Sequence, residues 1–380
     1  MTSLVSTPTL QDIMVKAYKT YEDTHRLPYH VRKAARALML CRTSALGGHV
    51  EACPEGHYHR QWYNSCRHRI CPQCNWIRIG QWLEKQKERL LPCGHYHMIF
   101  TLPHELNDLW LLNVGNMTTL LFTCVRDTLY GFFLDPRHVG AKPGIIATLH
   151  TWSQTMVLHP HIHCLVTEGG LDAKRWIRTK HQGYLLPIRA VMAVFRGKFL
   201  ASLNSAVQNR TITLPAGMTM QQWTNLKNKL GRAKWNVHIR ERYHHGRGIL
   251  IYLSRYIRGG AISNRRITSS TQEEVAFTHR AAQGRDTMTL PVAEFIKRYL
   301  LHVTAPHTKR VRYYGLYATT AHEELSLCRS SLGSEGSVSE EIESQQEKRP
   351  DDPECCPVCG RPLLRVIDPP RGHEVIPHAA

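Results

Sequence analysis

Two histidines separated by one residue, His161 and His163, are the first candidates for chemistry in this chain of 380 residues. The stretch from Ile162 to Val166 is apolar and partly β-branched, which predicts a β-strand. Because alternate side chains of a strand point to the same face, both imidazoles would share one face. Two neutral imidazoles directed at one point can bind a divalent metal ion. The chain has 24 histidines, so this spacing also arises by chance and needs support from other residues.

A third metal ligand is expected from the segment that precedes this strand. Residues 144–152 also read as a β-branched strand, which should turn and pair antiparallel with the histidine strand. Gln154 and His150 have the same parity in such a hairpin, so either side chain could face the metal. Gln154 is closer to the turn and is the preferred ligand, with His150 as the alternative.

Two tyrosines four residues apart, Tyr252 and Tyr256, precede a Gly-Gly pair that would end a helix. On a helix the two phenols would lie on one face, one turn apart. Two such tyrosines can simply pack at a helix surface. A tyrosine hydroxyl is also a nucleophile when its proton is removed or its target phosphate is polarised. The arginines that could hold phosphates close by are Arg255, Arg258, Arg265 and Arg266.

The cysteine pattern predicts a structural zinc site near the N-terminus. The chain has 12 cysteines and no recognisable export signal, which favours metal ligands in a reducing compartment over disulfides. A Cys-x-x-Cys turn can supply one edge of a zinc tetrahedron. The expected ligands are Cys53, His57, Cys71 and Cys74, with Cys66 or His59 as alternatives and Cys41 as a further candidate. Arg67 and Arg69 lie among aromatic residues, a composition that suits contact with DNA phosphates and exposed bases.

A second Cys-x-x-Cys pair, Cys356 and Cys359, lies close to the C-terminus. Its partners could be His373 and His378 or a cysteine of the N-terminal module. An unliganded pair is the alternative.

The charge of the chain favours a polyanionic partner. The formal net charge is +19 and the isoelectric point is about 9.6, so nucleic acid is the first candidate. No run of 18 apolar residues is present, and no phosphate-binding G-x-x-x-x-G-K-[ST] loop occurs, so neither a membrane nor a nucleotide cofactor is expected. The expected location is the cytoplasm.

Several motifs in sequence order resemble the two-tyrosine HUH rolling-circle transposases of the bacterial insertion sequence 91 group. The motifs that carry the resemblance run from about residue 10 to residue 318 and are 47–50, 63–67 with 71–74, 100–103, 149–154, 159–163, 252–256 and 261–266. One departure concerns zinc, because Cys53 is followed by Pro-Glu-Gly-His57 where the family usually has a second cysteine. His57 is the expected substitute.

The resemblance implies an α+β fold, with an antiparallel-sheet HUH endonuclease domain of the Rep/relaxase type preceded by a small zinc-binding helical or ribbon module. The expected domains are residues 1–92 for the zinc-binding DNA-recognition module, 93–322 for the nuclease, 323–354 for an acidic Ser/Glu-rich flexible linker, and 355–380 for a tail with a zinc knuckle.

The implied activity is cleavage and rejoining of DNA at the ends of an insertion sequence. His161, His163 and Gln154 would hold Mg²⁺ or Mn²⁺, which polarises the scissile phosphate. Tyr252 or Tyr256 would attack and form a 5′-phosphotyrosine with a free 3′-hydroxyl. The DNA would be single-stranded or unwound, and the host replication machinery is a candidate partner.

Two other functions are compatible with parts of the sequence. A non-catalytic zinc-dependent DNA-binding regulator would explain the charge and the cysteines but would leave the histidine strand and the tyrosines without a role. A three-carboxylate transposase needs acidic ligands on strands, and the few acidic residues of 170–322 do not lie in clear strands.

Overall fold

The structure, a computed structural model, describes residues 7–87, 89–180, 184–243, 260–281, 284–333 and 355–367. The chain divides into two compact units, described separately below. The first unit is built from residues 1–78, 260–305 and 338–380, and the second from residues 79–259 and 306–337. Residues 260–305, which the sequence analysis places in the 93–322 domain, thus belong to the first unit.

The described residues contain helices and strands in an irregular alternation. The helices are α1 (Leu10–Thr24), α2 (Tyr29–Met39), α3 (Asn75–Lys87), α4 (Asn107–Leu112), α5 (Val114–Phe133), α6 (Ile188–Gln208), α7 (Met220–Arg232), α8 (Val292–Leu300) and α9 (His322–Gly333). The strands are β1 (Gly48–Ala52), β2 (His59–Tyr63), β3 (His95–Thr101), β4 (Lys142–Trp152), β5 (Leu158–Asp172), β6 (Arg175–Arg178), β7 (Asn236–Tyr243), β8 (Ile267–Ser270), β9 (Glu274–Ala281), β10 (Gly284–Pro291), β11 (Val311–Gly315) and β12 (Leu364–Ile367).

The second unit is organised on one antiparallel sheet with the strand order β11-β4-β5-β3-β7, to which β6 adds by pairing with β5. Strands β4 and β5 form the expected hairpin, in which His150 is directly opposite His161. On the other side of β5, His161 pairs with Thr101 and His163 pairs with Ile99 of β3. The histidine strand therefore lies inside the sheet, where both neighbouring strands fix its register.

The pleat of this sheet separates an apolar face from a polar face. Ile162, Cys164 and Val166 of β5 are fully buried in the main core, together with residues of α5 and α6. The intervening residues His161 and His163 therefore point to the opposite face. The apolar burial of one face fixes which side chains the other face presents, because a shift of one residue would exchange the two faces.

The first unit contains two small antiparallel sheets, one with the order β12-β1-β2 and one with the order β10-β9-β8. Helix α1 begins with a capping box, in which the Thr9 side chain accepts from the Asp12 backbone and the Asp12 carboxylate accepts from the Thr9 backbone. Strand β12 comes from the C-terminal segment and pairs with β1, so the chain's two ends build one sheet.

The stretch 323–354, expected to be a flexible linker, begins in the structure with helix α9. Leu325, Cys328 and Leu332 of this helix are buried in a secondary core of the second unit. The acidic composition concealed this apolar stripe, because only three positions of the helix carry it. Residues 334–354 lie outside the described residues.

Among the residues that the structure describes, no helix is both long and apolar enough to cross a membrane.

Candidate metal centre

Three imidazoles converge on the polar face of the central sheet. The ligand nitrogens of His150, His161 and His163 all lie within 4.8 Å of one another. All three side chains are buried. His150 and His161 meet because they are opposite each other across the β4–β5 hairpin, and His163 is two residues further along β5.

Neighbouring groups orient two of these rings. Nδ1 of His161 lies 2.6 Å from the carbonyl oxygen of His159, and Nδ1 of His163 lies 2.8 Å from Nε2 of His97 on β3. In both rings the contact through Nδ1 directs Nε2 toward the common point. Such contacts to the far nitrogen fix the tautomer and the orientation of metal-binding histidines.

The donor set fits a divalent cation. The Nε2 atoms of His161 and His163 are 3.1 Å apart. When Nδ1 carries the proton in each ring, both Nε2 atoms present lone pairs to each other. Two lone pairs at that separation repel unless a cation lies between them, so the arrangement favours metal binding.

Burial favours the neutral form of His161, His163 and His97. It lowers the pKa of His161 to about 4 and the pKa of His97 to about 3, and it holds the pKa of His163 well below its ordinary value. Arg240 of β7 adds a smaller lowering of the pKa at His97 and His163 through its positive charge. The neutral form is the one that binds a metal ion.

The two candidates for the third ligand occupy different positions. His150 belongs to the imidazole group, and its ring also stacks on Trp152 with centroids 4.6 Å apart. Gln154, the preferred candidate from the sequence, is exposed in the turn between β4 and β5. His97 was not among the sequence candidates, because its contact with His163 depends on the pairing of β3 with β5.

A first cysteine group lies in the N-terminal module. The sulfurs of Cys41, Cys66, Cys71 and Cys74 all lie within 4.8 Å of one another. The Sγ atoms of Cys66 and Cys74 are 3.6 Å apart, as are those of Cys41 and Cys71, far beyond the 2.05 Å of a disulfide. Hydrogen bonds from the neighbouring thiols lower the pKa of Cys74 and of Cys41, so the group stabilises a thiolate.

A second group joins distant parts of the sequence. The ligand atoms of Cys53, His57, Cys356 and Cys359 also lie within 4.8 Å of one another. The four residues expected to form one zinc site, Cys53, His57, Cys71 and Cys74, are therefore divided between two groups. The expectation assumed that ligands close in sequence bind together. Instead, the fold places Cys41 and Cys66 with the Cys71/Cys74 pair, and it places the C-terminal pair with Cys53 and His57. His59 is in neither group.

The residues predicted to contact DNA are only partly described. Arg67, Arg69 and Arg265 are exposed on the first unit. Arg266 is half-buried, its Nε donates to the Thr278 carbonyl oxygen, and burial lowers its pKa. The candidate nucleophiles and the two arginines beside them lie outside the described residues, namely Tyr252, Tyr256, Arg255 and Arg258.

Comparisons with known proteins match both the N-terminal module and the sheet domain. A family model described as "Transposase zinc-binding domain" matches residues 13–102, and one described as "Putative transposase" matches residues 144–324. The protein "Putative transposase y4qJ" of Sinorhizobium fredii is 34% identical over 381 residues, covering 96% of this chain and 96% of its own. "Transposase for insertion sequence element IS801" of Pseudomonas savastanoi pv. phaseolicola is 28% identical over 292 residues, covering 74% of this chain and 68% of its own. No solved structure matches.

The chain has an α+β fold in which a zinc-binding module precedes an antiparallel-sheet domain, and both parts match transposases. These features define a DNA-binding transposase. Within that class, the chain belongs to the insertion sequence 91 family. The predicted family and the predicted fold class are both confirmed.

Proposed function

We propose that this transposase nicks and rejoins single-stranded DNA at the ends of its insertion sequence through a 5′-phosphotyrosine, and so performs rolling-circle transposition. The observation that carries the proposal is the convergence of His150, His161 and His163 on one face of a rigid sheet. A pair of strand histidines could serve packing alone. Three that converge, with two of them oriented through Nδ1, are arranged as metal ligands.

The three imidazoles would hold Mg²⁺ or Mn²⁺, which supplies polarisation of the scissile phosphate and stabilises the charge that develops on it. This assignment makes His150 the third ligand in place of Gln154. The contacts of Nδ1 with His159 and His97 fix the rings of His161 and His163, and burial keeps both rings neutral.

Tyr252 or Tyr256 supplies the attacking oxygen. A bond forms between the phenolic oxygen and phosphorus, and the bond from phosphorus to the 3′-oxygen breaks. The phenol loses its proton, and the leaving 3′-oxygen gains one to become a hydroxyl. The phosphotyrosine ester retains the energy of the phosphodiester, so the strand can be rejoined without a nucleotide cofactor. Two tyrosines allow one end to be held while a second strand is cut.

The segment between strand β7 and Tyr252 is long enough for the tyrosine to reach the metal centre. Strand β7 ends at Tyr243, which pairs with His95 of β3, and His163 pairs with Ile99 on the same strand. The Tyr243–His95 pair and the His163–Ile99 pair are therefore four residues apart along β3, a distance of about 13 Å. Tyr252 follows Tyr243 by nine residues, which can span up to about 30 Å.

Arg240 is a further candidate for phosphate contact that the sequence did not single out. It is exposed on β7, and its charge acts on both His97 and His163. A fixed positive charge beside a metal site suits a scissile phosphate. On the first unit, Arg67, Arg69 and Arg265 would contact the DNA backbone. We expect the protein to act in the bacterial cytoplasm, where its DNA and the replication machinery are located.

The test is covalent capture of DNA. The protein is incubated with single-stranded oligonucleotides from the element ends and Mg²⁺ or Mn²⁺, and a denaturing gel reports any adduct. We expect an adduct that requires the metal and disappears in Tyr252→Phe/Tyr256→Phe. An adduct that persists in this double variant would contradict the nucleophile assignment.

The metal ligands are tested in the same assay. His150→Ala, His161→Ala and His163→Ala should each abolish the adduct, while Gln154→Ala should retain it. Loss of the adduct in Gln154→Ala together with full activity of His150→Ala would restore the ligand set expected from the sequence.

A further inference from the structure

We propose that Cys53, His57, Cys356 and Cys359 bind a second structural zinc ion, which fastens the C-terminal tail to the N-terminal module. The family model for the zinc-binding domain ends at residue 102 and so does not contain the C-terminal pair. This site is independent of the nicking chemistry proposed above, because all its ligands lie in the first unit.

The distances match tetrahedral zinc. Zn–S bonds of about 2.3 Å and Zn–N bonds of about 2.05 Å place two sulfurs about 3.8 Å apart and a sulfur and a nitrogen about 3.6 Å apart. The Sγ atoms of Cys53 and Cys359 are 3.5 Å apart, and Sγ of Cys53 is 3.8 Å from Nδ1 of His57. A disulfide would require about 2.05 Å, and all 12 cysteines are free thiols.

Tight turns present both halves of the site. Gly56 has φ +75°, and its N–H donates to the Cys53 carbonyl oxygen at 2.9 Å, which folds the chain back to bring His57 beside Cys53. Gly360 has φ +71°, and its N–H donates to the Cys356 carbonyl oxygen at 2.8 Å. These left-handed positions favour glycine, so the glycine in each half of the site favours its turn.

The surrounding contacts align the two halves. Strand β12 pairs with β1 immediately before Cys53, with Ala52 opposite Leu364. Arg361 forms an ion pair with Glu55, inside the turn between the two N-terminal ligands. A strand as short as β12 (Leu364–Ile367) is weak by itself, so a metal cross-link accounts for its place in the sheet.

The site also explains the departure from the family pattern at Cys53. Where the family usually has a second cysteine after Cys53, this chain has His57, and the C-terminal pair completes the set. A ligand set of three sulfurs and one nitrogen is among the structural zinc types. Cys355, adjacent in sequence, is half-buried and outside the group, and its backbone pairs with Pro362.

Zinc content of the full chain tests the proposal. Zinc is counted in the His161→Ala/His163→Ala background, because the three-histidine site could also take zinc, and the variants below are made in the same background. Elemental analysis of this protein purified with zinc should give about two zinc ions per chain. The double variant Cys356→Ser/Cys359→Ser and the single variant His57→Ala should each give about one, while the control Cys355→Ser should keep about two. The His57 variant changes only an exposed side chain, so it reports on the site even if the cysteine variant fails to fold.

Thiol alkylation provides a second readout. Cys359 is the most exposed cysteine of the chain, so an unliganded thiol there would react first. We expect Cys359 to resist alkylation until a chelator is added. Release of Cys359 by a reductant alone would show a disulfide and would overturn the proposal. Immediate reaction without chelator would also overturn it, as would a content of one zinc in the background without further substitutions.

Discussion

The contact between His97 and His163 predicts that His97 positions a metal ligand. In His97→Ala, the group 2.8 Å from Nδ1 of His163 is removed, so the ring of His163 can rotate and exchange tautomers. Removal of such a partner typically lowers metal affinity 10–100-fold, or about 1.4–2.8 kcal/mol. The loss of a buried ring and its hydrogen bond should also lower the free energy of unfolding by about 1–3 kcal/mol.

His95 offers a matched control. It lies on the same strand and the same face, and it is equally buried, but its ring nitrogens contact Tyr317 and the Cys93 carbonyl oxygen instead of the metal site. His95→Ala should therefore reduce stability without changing metal affinity. His97→Gln should recover part of the affinity, because its amide can occupy the position of Nε2.

Calorimetric titration of the full chain with Mn²⁺ measures the affinity, and thermal unfolding measures the stability. In the adduct assay, His97→Ala should regain activity at saturating Mn²⁺, which a merely unfolded fraction would not do. Equal losses of Mn²⁺ affinity in the His95 and His97 variants, or no loss in either, would refute a positioning role for His97.

Three further predictions concern the fold and the DNA contacts. Gly315→Ala should destabilise the protein by more than about 2 kcal/mol in chemical denaturation, because φ is +61° and a Cβ would lie 1.8 Å from a carbonyl oxygen of β4. As a control, Gly197→Ala places its Cβ in open space on α6 and should stabilise the protein by about 0.5–1 kcal/mol. Arg265→Ala should reduce the slope of log binding constant against log salt concentration for single-stranded DNA by the amount expected for about one lost phosphate contact. Arg137→Ala removes an arginine already paired with a carboxylate and should leave this slope unchanged. Burial and the nearby Glu22 raise the pKa of Tyr18 to about 12. The folded state therefore keeps this proton after the unfolded chain has lost it, so stability falls as the pH rises from about 10 toward 12, and Tyr18→Phe should lack that part of the decline.

The elements with strong periodicity were predictable from the sequence. Strand β4 was expected over 144–152 and runs from Lys142 to Trp152, and the strand expected to carry His161 and His163 pairs antiparallel with it. In both cases one face is apolar and buried, and this alternation is a local property of the sequence.

The elements that depend on partners elsewhere in the chain were not predictable. Most of strand β10 (Gly284–Pro291) is exposed, so it lacks an apolar alternation and exists through its pairing with β9. The grouping of Cys53 with Cys359 joins residues about 300 positions apart, and a cysteine of the N-terminal module was one of two kinds of partner that the sequence left open for the C-terminal pair. The contact of His97 with the metal site was not predictable, because it requires the register of β3 against β5.

The first unit is assembled from the beginning, the middle and the end of the chain, and this affects when it can be completed during synthesis. Strands β1 and β2 leave the ribosome early, but β12 is made after all the other strands that the structure describes. At about 5–20 residues per second, roughly 15–60 s separate the synthesis of residue 78 from that of Cys359. The edge of β1 that β12 covers stays unpaired for that interval. A transcript that ends before the codons of β12 therefore yields a chain whose first unit lacks that strand.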